Sequence, residues 1–228
     1  MSYQYRSDIK TDIAPHPVTA PSMLIGGGFY RAAVKRVLDV ALVLMASVPL
    51  LLTVGLLALF VRRDGGSAFY TQDRIGQNGK VFKILKLRTM VHNADEVMEE
   101  YLASDPAARA EWNHHQKLRN DPRITKVGKL LRRTSLDELP QLWNVLVGEM
   151  SIVGPRPMML EQRVLYPGTE YYEMRPGITG FWQVSDRHET GFHERANFDR
   201  DYFQQMSFAT DVKTIWMTFA VVLGAKGC

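Results

Sequence analysis

The strongest hydrophobic pattern in the chain is the 25-residue apolar segment Val37 to Val61, which contains a single charged residue, Asp39. A helix of this length, at about 1.5 Å per residue, could cross the roughly 30 Å hydrocarbon core of a bilayer. Pro49 lies near its middle, where it removes a backbone donor and disfavours helical geometry at Val48. Ser47 could bond a backbone group freed there. We therefore predict a membrane-inserted helix that breaks at Ser47 and Pro49.

Positive charges flank this segment on both sides, Lys35 and Arg36 before it and Arg62 and Arg63 after it. Cytoplasmic loops carry the excess of Lys and Arg, so equal flanks give a spanning helix no preferred direction. They are what a re-entrant hairpin with both ends on the cytoplasmic face would show. A Pro-kinked spanning helix and a buried helix of a soluble protein are the alternatives.

These patterns divide the chain into three parts. Residues 1–30, which contain several prolines and three consecutive glycines, are expected to form a disordered tail rather than a secretory signal. Residues 31–63 are the predicted membrane-inserted helix. Residues 64–228 are the predicted cytoplasmic catalytic domain.

The catalytic part begins with a predicted β-hairpin from Phe69 to Leu87, in which Gly76-Gln77-Asn78-Gly79 supplies the turn. Apolar spacing and capping residues then predict helices over Ala94–Leu102, from Asp105-Pro106 to about Leu118, over Lys126–Arg133 and over Leu139–Val147. Residues 150–157 and 176–183 are punctuated by Gly and Pro and are predicted to be loops.

A C-terminal amphipathic helix is predicted because apolar residues recur on one face. They are Phe208, Val212, Ile215, Trp216, Phe219, Val222 and Leu223. This stripe fits either a protein core or a membrane interface. The expected fold class is α+β: mostly helical, with a small β-hairpin, an N-terminal re-entrant membrane hairpin and this C-terminal helix.

Composition narrows the class of protein only slightly. The hydrophobic fraction is 46%, which argues against a protein of many membrane helices. The net charge of +4 suits anionic lipid or phosphorylated substrates and is too small to indicate nucleic acid, which we do not expect as a partner. A single cysteine, Cys228, excludes an internal disulfide.

The candidate chemistry centres on the acidic pair Asp137-Glu138. Ser135 and Glu138 match a helix capping box, which is a purely structural interpretation. Pro140 argues against it, because it would fall inside the first turns of that helix. With Asp137 as the cap, Pro140 needs no donor. Asp137 would then sit at a positive helix end, ionised by the dipole and by nearby arginines, where it could bind a metal or attack phosphorus.

Arginines surround this pair in the sequence. Arg132 and Arg133 precede it, and Arg156 follows within the stiff Pro155-Arg156-Pro157. The guanidinium fork matches phosphate oxygens, and flanking prolines reduce the entropy lost on binding. Surface salt bridges are the alternative for any single arginine. Together with the acidic pair, the arrangement favours a phosphate-binding site.

The motifs around these residues resemble the bacterial sugar transferase family, the monotopic phosphoglycosyl transferases. The resemblance rests on residues 131–141, from Leu131 to Gln141, and on residues 148–157, from Gly148 to Pro157. It extends to Lys86-Leu87-Arg88-Thr89-Met90, to residues 120–125 and to residues 175–180.

The resemblance implies transfer of a sugar-1-phosphate, with galactose or glucose expected, from a UDP-sugar to undecaprenyl phosphate. It implies Mg²⁺ as cofactor and a location on the cytoplasmic face of the bacterial inner membrane. Asp137 would be the nucleophile and a metal ligand, and Glu138 would support it. Arg132 and Arg156 match phosphate-contacting arginines, and Lys86 and Arg88 are further candidates.

Three departures from the family pattern bear on these expectations. Val48 separates Ser47 from Pro49, Asp186 stands where a glycine is usual, and Met206 replaces a common tryptophan. The last two put the identity of the sugar in doubt more than the reaction. A non-catalytic membrane adaptor and a lipid-diphosphate phosphatase are the rival functions.

Overall fold

The computed structural model describes residues 28–115, 118–185 and 192–223. The first 27 residues of the expected tail lie outside this part of the chain. The helices are α1 (Lys35–Val61), α2 (Ala94–Ser104), α3 (Pro106–His115), α4 (Lys126–Thr134), α5 (Gln141–Val147), α6 (Phe181–Val184), α7 (Arg195–Gln205) and α8 (Phe208–Leu223). The strands are β1 (Phe69–Ile75), β2 (Val81–Leu87), β3 (Ser151–Val153) and β4 (Gly177–Thr179). The expected class, mostly helical with a small β-hairpin, is confirmed.

The hairpin forms where the strand composition and the Gly76–Gly79 turn predict it. Strands β1 and β2 pair antiparallel, with Arg74 opposite Phe82 and Tyr70 opposite Lys86. The turn passes through Asn78 and Gly79, both with positive φ, which glycine adopts without strain and asparagine tolerates. Phe82 is buried on the face that β2 turns toward α5. Since side chains alternate along a strand, Lys86 lies on that same inner face.

The membrane segment differs from the expectation at Pro49. Helix α1 runs without interruption through Pro49, and a π-helical turn, Tyr30–Val34, extends it at the N-terminal end. The prediction that Val48 leaves the helical region is therefore wrong. Two side chains form hydrogen bonds to backbone carbonyls around Pro49. Ser47 Oγ donates to the carbonyl of Leu44 at 2.7 Å, and Thr53 Oγ1 donates to that of Pro49 at 2.8 Å. Neither bond goes to the carbonyl of Met45, which Pro49 N cannot serve as donor, so the helix continues without that backbone bond.

Helix α1 has the length and composition of a membrane span, and only 6% of its most apolar window is buried. Met45, Leu51 and Leu52 are each exposed by 70% or more. A core helix of a soluble protein would bury such residues, so the soluble-core alternative is wrong. Exposure does not distinguish a spanning helix from one that enters and leaves the membrane on the same face, so the re-entrant path stays a prediction.

Both ends of α1 pack on the same domain. Near its start, Lys35 Nζ lies 2.5 Å from Asp211 Oδ2, and Asp39 accepts hydrogen bonds from Ser151 Oγ at 2.7 Å and Ile152 N at 3.1 Å. At its other end, Val61 packs in a buried cluster with Leu87 and Leu131. The helix is therefore fixed to the catalytic domain at its two ends while its middle remains exposed.

Side chains or glycine cap three of the helix ends that follow the hairpin, in α3, α4 and α5. Asp105 Oδ1 accepts from the amides of Ala107 and Ala108, and Thr125 Oγ1 accepts from Gly128 N at 2.8 Å. Gly148, with φ of 91°, ends α5. The predicted helices over these ranges are confirmed within a few residues, although α5 begins at Gln141 rather than Leu139.

The prediction of two plain loops over residues 150–157 and 176–183 is wrong. Strand β3 lies in the first of these ranges and strand β4 in the second, and the two strands pair in parallel. Helix α6 begins two residues after β4. Ser151 N donates to Pro176 O at 2.8 Å, and Gly154 N donates to Thr179 O at 2.8 Å. Three-residue strands give too short a period to detect in sequence. This pairing places the Pro155–Pro157 segment beside the start of α6.

Helix α8 turns its apolar stripe outward. Phe208, Val212, Trp216 and Phe219 are exposed, Trp216 by 77%, whereas the polar Asp211 and Thr214 are buried. Asp211 accepts hydrogen bonds from Tyr30 and Tyr202, and the stripe's Ile215 packs partly into the core. The core interpretation therefore fails for most of the stripe, and an exposed apolar face of this kind fits a membrane interface.

Candidate active site

The acidic pair lies in a tight connection between α4 and α5. Helix α4 ends where Ser135 adopts the left-handed conformation with φ of 55°, and a 3₁₀ turn, Leu136–Glu138, follows. Neither Ser135 nor Asp137 caps a helix with its side chain, and Pro140 precedes the first residue of α5. Both proposed caps are thus wrong. The carboxylate of Asp137 is left available for chemistry because it does not serve the backbone as a cap.

Lys86 joins the hairpin to this turn. Its Nζ lies 2.7 Å from Glu138 Oε1, and both side chains are about three-quarters buried. Lys86 also lies close enough to Asp137 for its charge to lower the pKa of that carboxyl. The structure therefore brings three of the predicted site residues together: Asp137, Glu138 and Lys86.

The pKa of Asp137 moves in the direction opposite to the expectation. Burial raises the pKa above the ordinary value for aspartic acid, and the negative charge of Glu138 raises it further. Lys86 and Arg132 lower it, but by less than burial raises it. The site thus holds a poorly hydrated carboxylate whose anion is stabilised first by Lys86, then by a backbone hydrogen bond and by Arg132.

Arg132 is positioned by the segment that follows β2. Its Nε donates to Thr89 Oγ1 at 2.8 Å, and Thr89 is itself buried. Its charge acts on both Asp137 and Asp121. Asp121 itself is paired with Arg123 at 2.7 Å. Thr89 thus holds Arg132 where its charge acts on the acidic pair from a distance.

A cavity of about 290 Å³, partly open to solvent, lies next to the acidic pair. Its charged wall is formed by Arg74, Lys86, Arg156 and Glu138. Ile84, Gln141, Pro157, Gly177, Ile178 and Gln183 complete the lining. Asp137 lies beside this cavity rather than on its wall. Three cations against one carboxylate make the cavity suitable for a polyanion.

Arg156 reaches this cavity from the Pro155–Pro157 segment that β3 and β4 position. Its guanidinium lies 5.8 Å from the centre of the Trp182 ring in α6, within cation–π range. The sequence placed Arg156 with the acidic pair, and the structure does bring them to one cavity. Trp182 was not a sequence candidate, since nothing in the local pattern links it to Arg156.

Arg88 takes a different place from the other candidates. Its guanidinium donates to three backbone carbonyls, those of Ser67, Met90 and Val61, at 2.6, 2.8 and 3.2 Å. Val61 is the last residue of α1, so Arg88 ties the membrane helix to the hairpin. These contacts favour an anchoring role, and the predicted phosphate contact of Arg88 stays a prediction.

The carboxylates present fit a divalent cation only together with a substrate. Among the described residues, no three His, Cys, Asp or Glu side chains cluster as a metal site. Mg²⁺ is commonly held by one or two carboxylates plus substrate phosphates, with water completing the shell. Asp137 and Glu138 beside a cationic cavity match that donor set.

The chain is similar to known proteins over most of its length. A family model described as bacterial sugar transferase matches residues 30–225. A UDP-galactose-lipid carrier transferase of Erwinia amylovora is 47% identical over 195 residues, which cover 85% of this chain and 41% of that protein. The undecaprenyl-phosphate galactose phosphotransferase of Salmonella typhimurium is 46% identical over 198 residues, with the same coverages.

The chain thus spans about two fifths of the length of these two relatives. The exopolysaccharide production protein ExoY of Sinorhizobium fredii is closer in length: it is 45% identical over 199 residues, covering 85% of this chain and 87% of ExoY. The family match includes α1, the acidic pair and the cavity. The chain belongs to the bacterial sugar transferase family.

Proposed function

We propose that this protein transfers a sugar-1-phosphate from a UDP-sugar to undecaprenyl phosphate in the assembly of an exopolysaccharide or another surface glycan. The observation that carries the proposal is the joint placement of Asp137, Glu138 and Lys86 next to a cavity walled by Arg74 and Arg156. A buried carboxylate beside a polyanion site suits attack on a phosphorus atom. The name of the Erwinia relative contains UDP-galactose and a lipid carrier, and that of the Salmonella relative contains undecaprenyl phosphate. These names support a UDP-sugar as donor and undecaprenyl phosphate as acceptor.

In the proposed mechanism Asp137 is the nucleophile. One carboxylate oxygen attacks the phosphorus that bears the sugar, a P–O bond to the α-phosphate breaks, and UMP leaves with that bond's electron pair. An aspartyl phosphosugar remains. An oxygen of the lipid phosphate then attacks the same phosphorus, the acyl phosphate bond breaks, and Asp137 is regenerated.

The surrounding side chains act by charge and by position. Lys86 lies next to Asp137 and Glu138, where it favours the ionised nucleophile. Arg156 and Arg74 face the diphosphate across the cavity and offset its charge as the anionic nucleophile approaches. A bound Mg²⁺, held by Asp137 and supported by Glu138, would add Lewis-acid neutralisation of the diphosphate oxygens.

The experiment that tests this proposal supplies purified full-length protein in detergent with Mg²⁺, undecaprenyl phosphate and a panel of UDP-sugars. We expect UMP release with UDP-galactose or UDP-glucose, and a lipid diphosphosugar in the mass spectrum. Release of inorganic phosphate from a lipid diphosphate would identify a phosphatase instead. No product with any donor would favour the non-catalytic adaptor.

We infer that α1 enters and leaves the membrane on one face, the cytoplasmic face of the inner membrane. A straight helix of 27 residues is about 40 Å long, more than the hydrocarbon thickness, so a spanning helix would place its ends on opposite sides. Lys35 at one end and Val61 at the other both contact the catalytic domain. The outward apolar face of α8 supports the same attachment.

This topology predicts the labelling of two single-cysteine variants, Phe29→Cys and Lys80→Cys, each made in a Cys228→Ser background. Both positions are exposed, Phe29 by 79%. A membrane-impermeant maleimide should label both in inverted inner-membrane vesicles and neither in intact cells with a permeabilised outer membrane. Opposite accessibility of the two cysteines would show a spanning helix.

The raised pKa of Asp137 gives a prediction for the pH dependence of turnover. Because only the anion attacks, the acidic limb of the kcat/KM profile, measured at one fixed Mg²⁺ concentration, should move with the pKa of Asp137. Lys86→Met removes a charge that lowers this pKa, so the limb should move to higher pH. Glu138→Gln removes a charge that raises it, so the limb should move to lower pH even though activity falls. A shift of both variants in one direction would contradict this account.

A further inference from the structure

The guanidinium of Arg195, at the start of α7, is buried with an incomplete set of partners. Arg195 is 3% exposed. Its Nε lies 3.7 Å from Asp199 Oδ2, which is beyond hydrogen-bonding distance, and that oxygen already accepts from the Tyr166 hydroxyl at 2.7 Å. Within the described parts of the chain, Nε and Nη2 of Arg195 have no acceptor. Such donors cost free energy when buried without a partner.

Three more buried donors without an acceptor in the described residues lie in the same region: Arg74 Nε, Gln141 Nε2 and Trp182 Nε1. Arg74 and Gln141 line the cavity beside the acidic pair. Trp182 connects this wall with Arg195, whose guanidinium lies 5.9 Å from the centre of the Trp182 ring, on which Arg156 also packs. All four groups donate, so they match a ligand rich in acceptors.

The charges in this region are also unbalanced. Burial lowers the pKa of Arg74, and the positive charges of Arg156 and Arg195 lower it further. The carboxyl of Asp199 offsets part of the charge of Arg195, and burial raises the pKa of Asp199 to about 6. Three neighbouring guanidinium groups with one such carboxylate therefore favour an anion that carries more than one charge.

We infer that Arg195 is a donor-binding residue that extends the site beyond Arg74 and Arg156 and helps to hold the diphosphate of a nucleoside diphosphate sugar. Gln141 and Trp182 supply further N–H donors to the same ligand. The identity of the ligand rests on the proposed function. In the competing interpretation, Arg195, Asp199 and Tyr166 form a structural ion-pair network that packs α7 against the aromatic side chains around it.

The test uses four variants of the full-length protein in detergent: Arg195→Met, Arg195→Lys, Arg74→Met and the control Arg200→Met. Arg200 lies on the same helix, 48% exposed and 3.3 Å from Glu170, away from the cavity. The measurements are the melting temperature without ligand, its rise on addition of UDP with Mg²⁺, and KM and kcat for the UDP-sugar.

We expect Arg195→Met and Arg74→Met each to raise KM for the UDP-sugar by about tenfold or more, as for the loss of a charged hydrogen bond, and to reduce the UDP-induced rise in melting temperature. Arg195→Lys should lie between Arg195→Met and wild type, because lysine keeps the charge without the planar fork. Arg200→Met should behave as wild type in every measurement.

A lower melting temperature of Arg195→Met with unchanged KM and unchanged response to UDP would overturn the inference and establish the structural network. If Arg195→Met does not fold, KM for the UDP-sugar and the UDP-induced rise in melting temperature are compared for Arg195→Lys and Arg74→Met. Wild-type values of both quantities in Arg195→Lys and Arg74→Met would then overturn the inference. A wild-type protein that releases no UMP but is stabilised by UDP through Arg195 would refute the proposed function and still support this binding site.

Discussion

Asp137→Asn is expected to abolish release of UMP from the UDP-sugar, with a loss of at least about a thousandfold in kcat, because the amide cannot form the acyl phosphate. The side chain keeps its size, so the turn Leu136–Glu138 should persist. The fold should not suffer either. Burial raises the pKa of Asp137, which means that the folded state disfavours its ionised form, and a neutral amide removes that cost. The variant should therefore melt no lower than wild type at neutral pH.

The matched control is Asp73→Asn, which makes the same substitution in an exposed ion pair with Lys83 on the hairpin. Exposed pairs contribute little, so this variant should retain wild-type turnover. With donor labelled in the sugar and no lipid acceptor, wild-type protein should retain covalent label on the peptide that contains Asp137, and Asp137→Asn should retain none. Label on another residue would refute the role of Asp137 as nucleophile.

Gly128→Ala is expected to have the largest effect on the fold and, through it, on the site. Gly128 lies in α4 where the helix meets the segment after β2. A Cβ there would overlap the carbonyl oxygen of Thr89 and lie 2.7 Å from its carbonyl carbon. Backbone atoms cannot rotate away, so α4 must move off Thr89, and the bond from Arg132 to Thr89 would be lost. We expect the free energy of unfolding to fall by about 3 kcal/mol or more, which is the upper end of the range for overpacked core sites. Turnover should fall at least about tenfold.

Gly55→Ala provides the control, because it is also a helical glycine but has no atom within 4 Å of an added Cβ. Alanine is favoured over glycine in a helix by about 0.5–1 kcal/mol, so this variant should be as stable as wild type or slightly more stable. Thermal unfolding in detergent and UMP release measure both variants. Wild-type stability of Gly128→Ala would show that α4 does not pack on Thr89 as described.

Short-range patterns in the sequence were sufficient for much of the fold. Strand composition and the Gly76–Gly79 turn predicted the hairpin, and Asp105 and Gly148 predicted helix ends that the hydrogen bonds confirm. Each of these features is decided by residues within a few positions of one another. The motifs around Asp137 also sufficed for the family, since they are specific combinations of neighbouring residues.

The sequence misjudged features in which local preference competes with the surroundings. Pro49 predicted a break, yet α1 continues through it as a helix of 27 residues. Asp137 was expected to be held ionised by a helix end and arginines, but it caps no helix, and burial outweighs the nearby cations. Burial depends on the packing of distant segments, which residue spacing does not reveal.

What the sequence determined by itself was therefore the set of local elements, the apolar segment and the chemical character of the acidic pair. Tertiary structure alone decided which groups meet. It paired β3 with β4, which places Arg156 next to Trp182, and it turned the apolar stripe of α8 outward while burying Asp211. The physical reason is that propensities and caps act within a turn or two of chain, whereas burial and charge clusters arise from segments far apart in sequence.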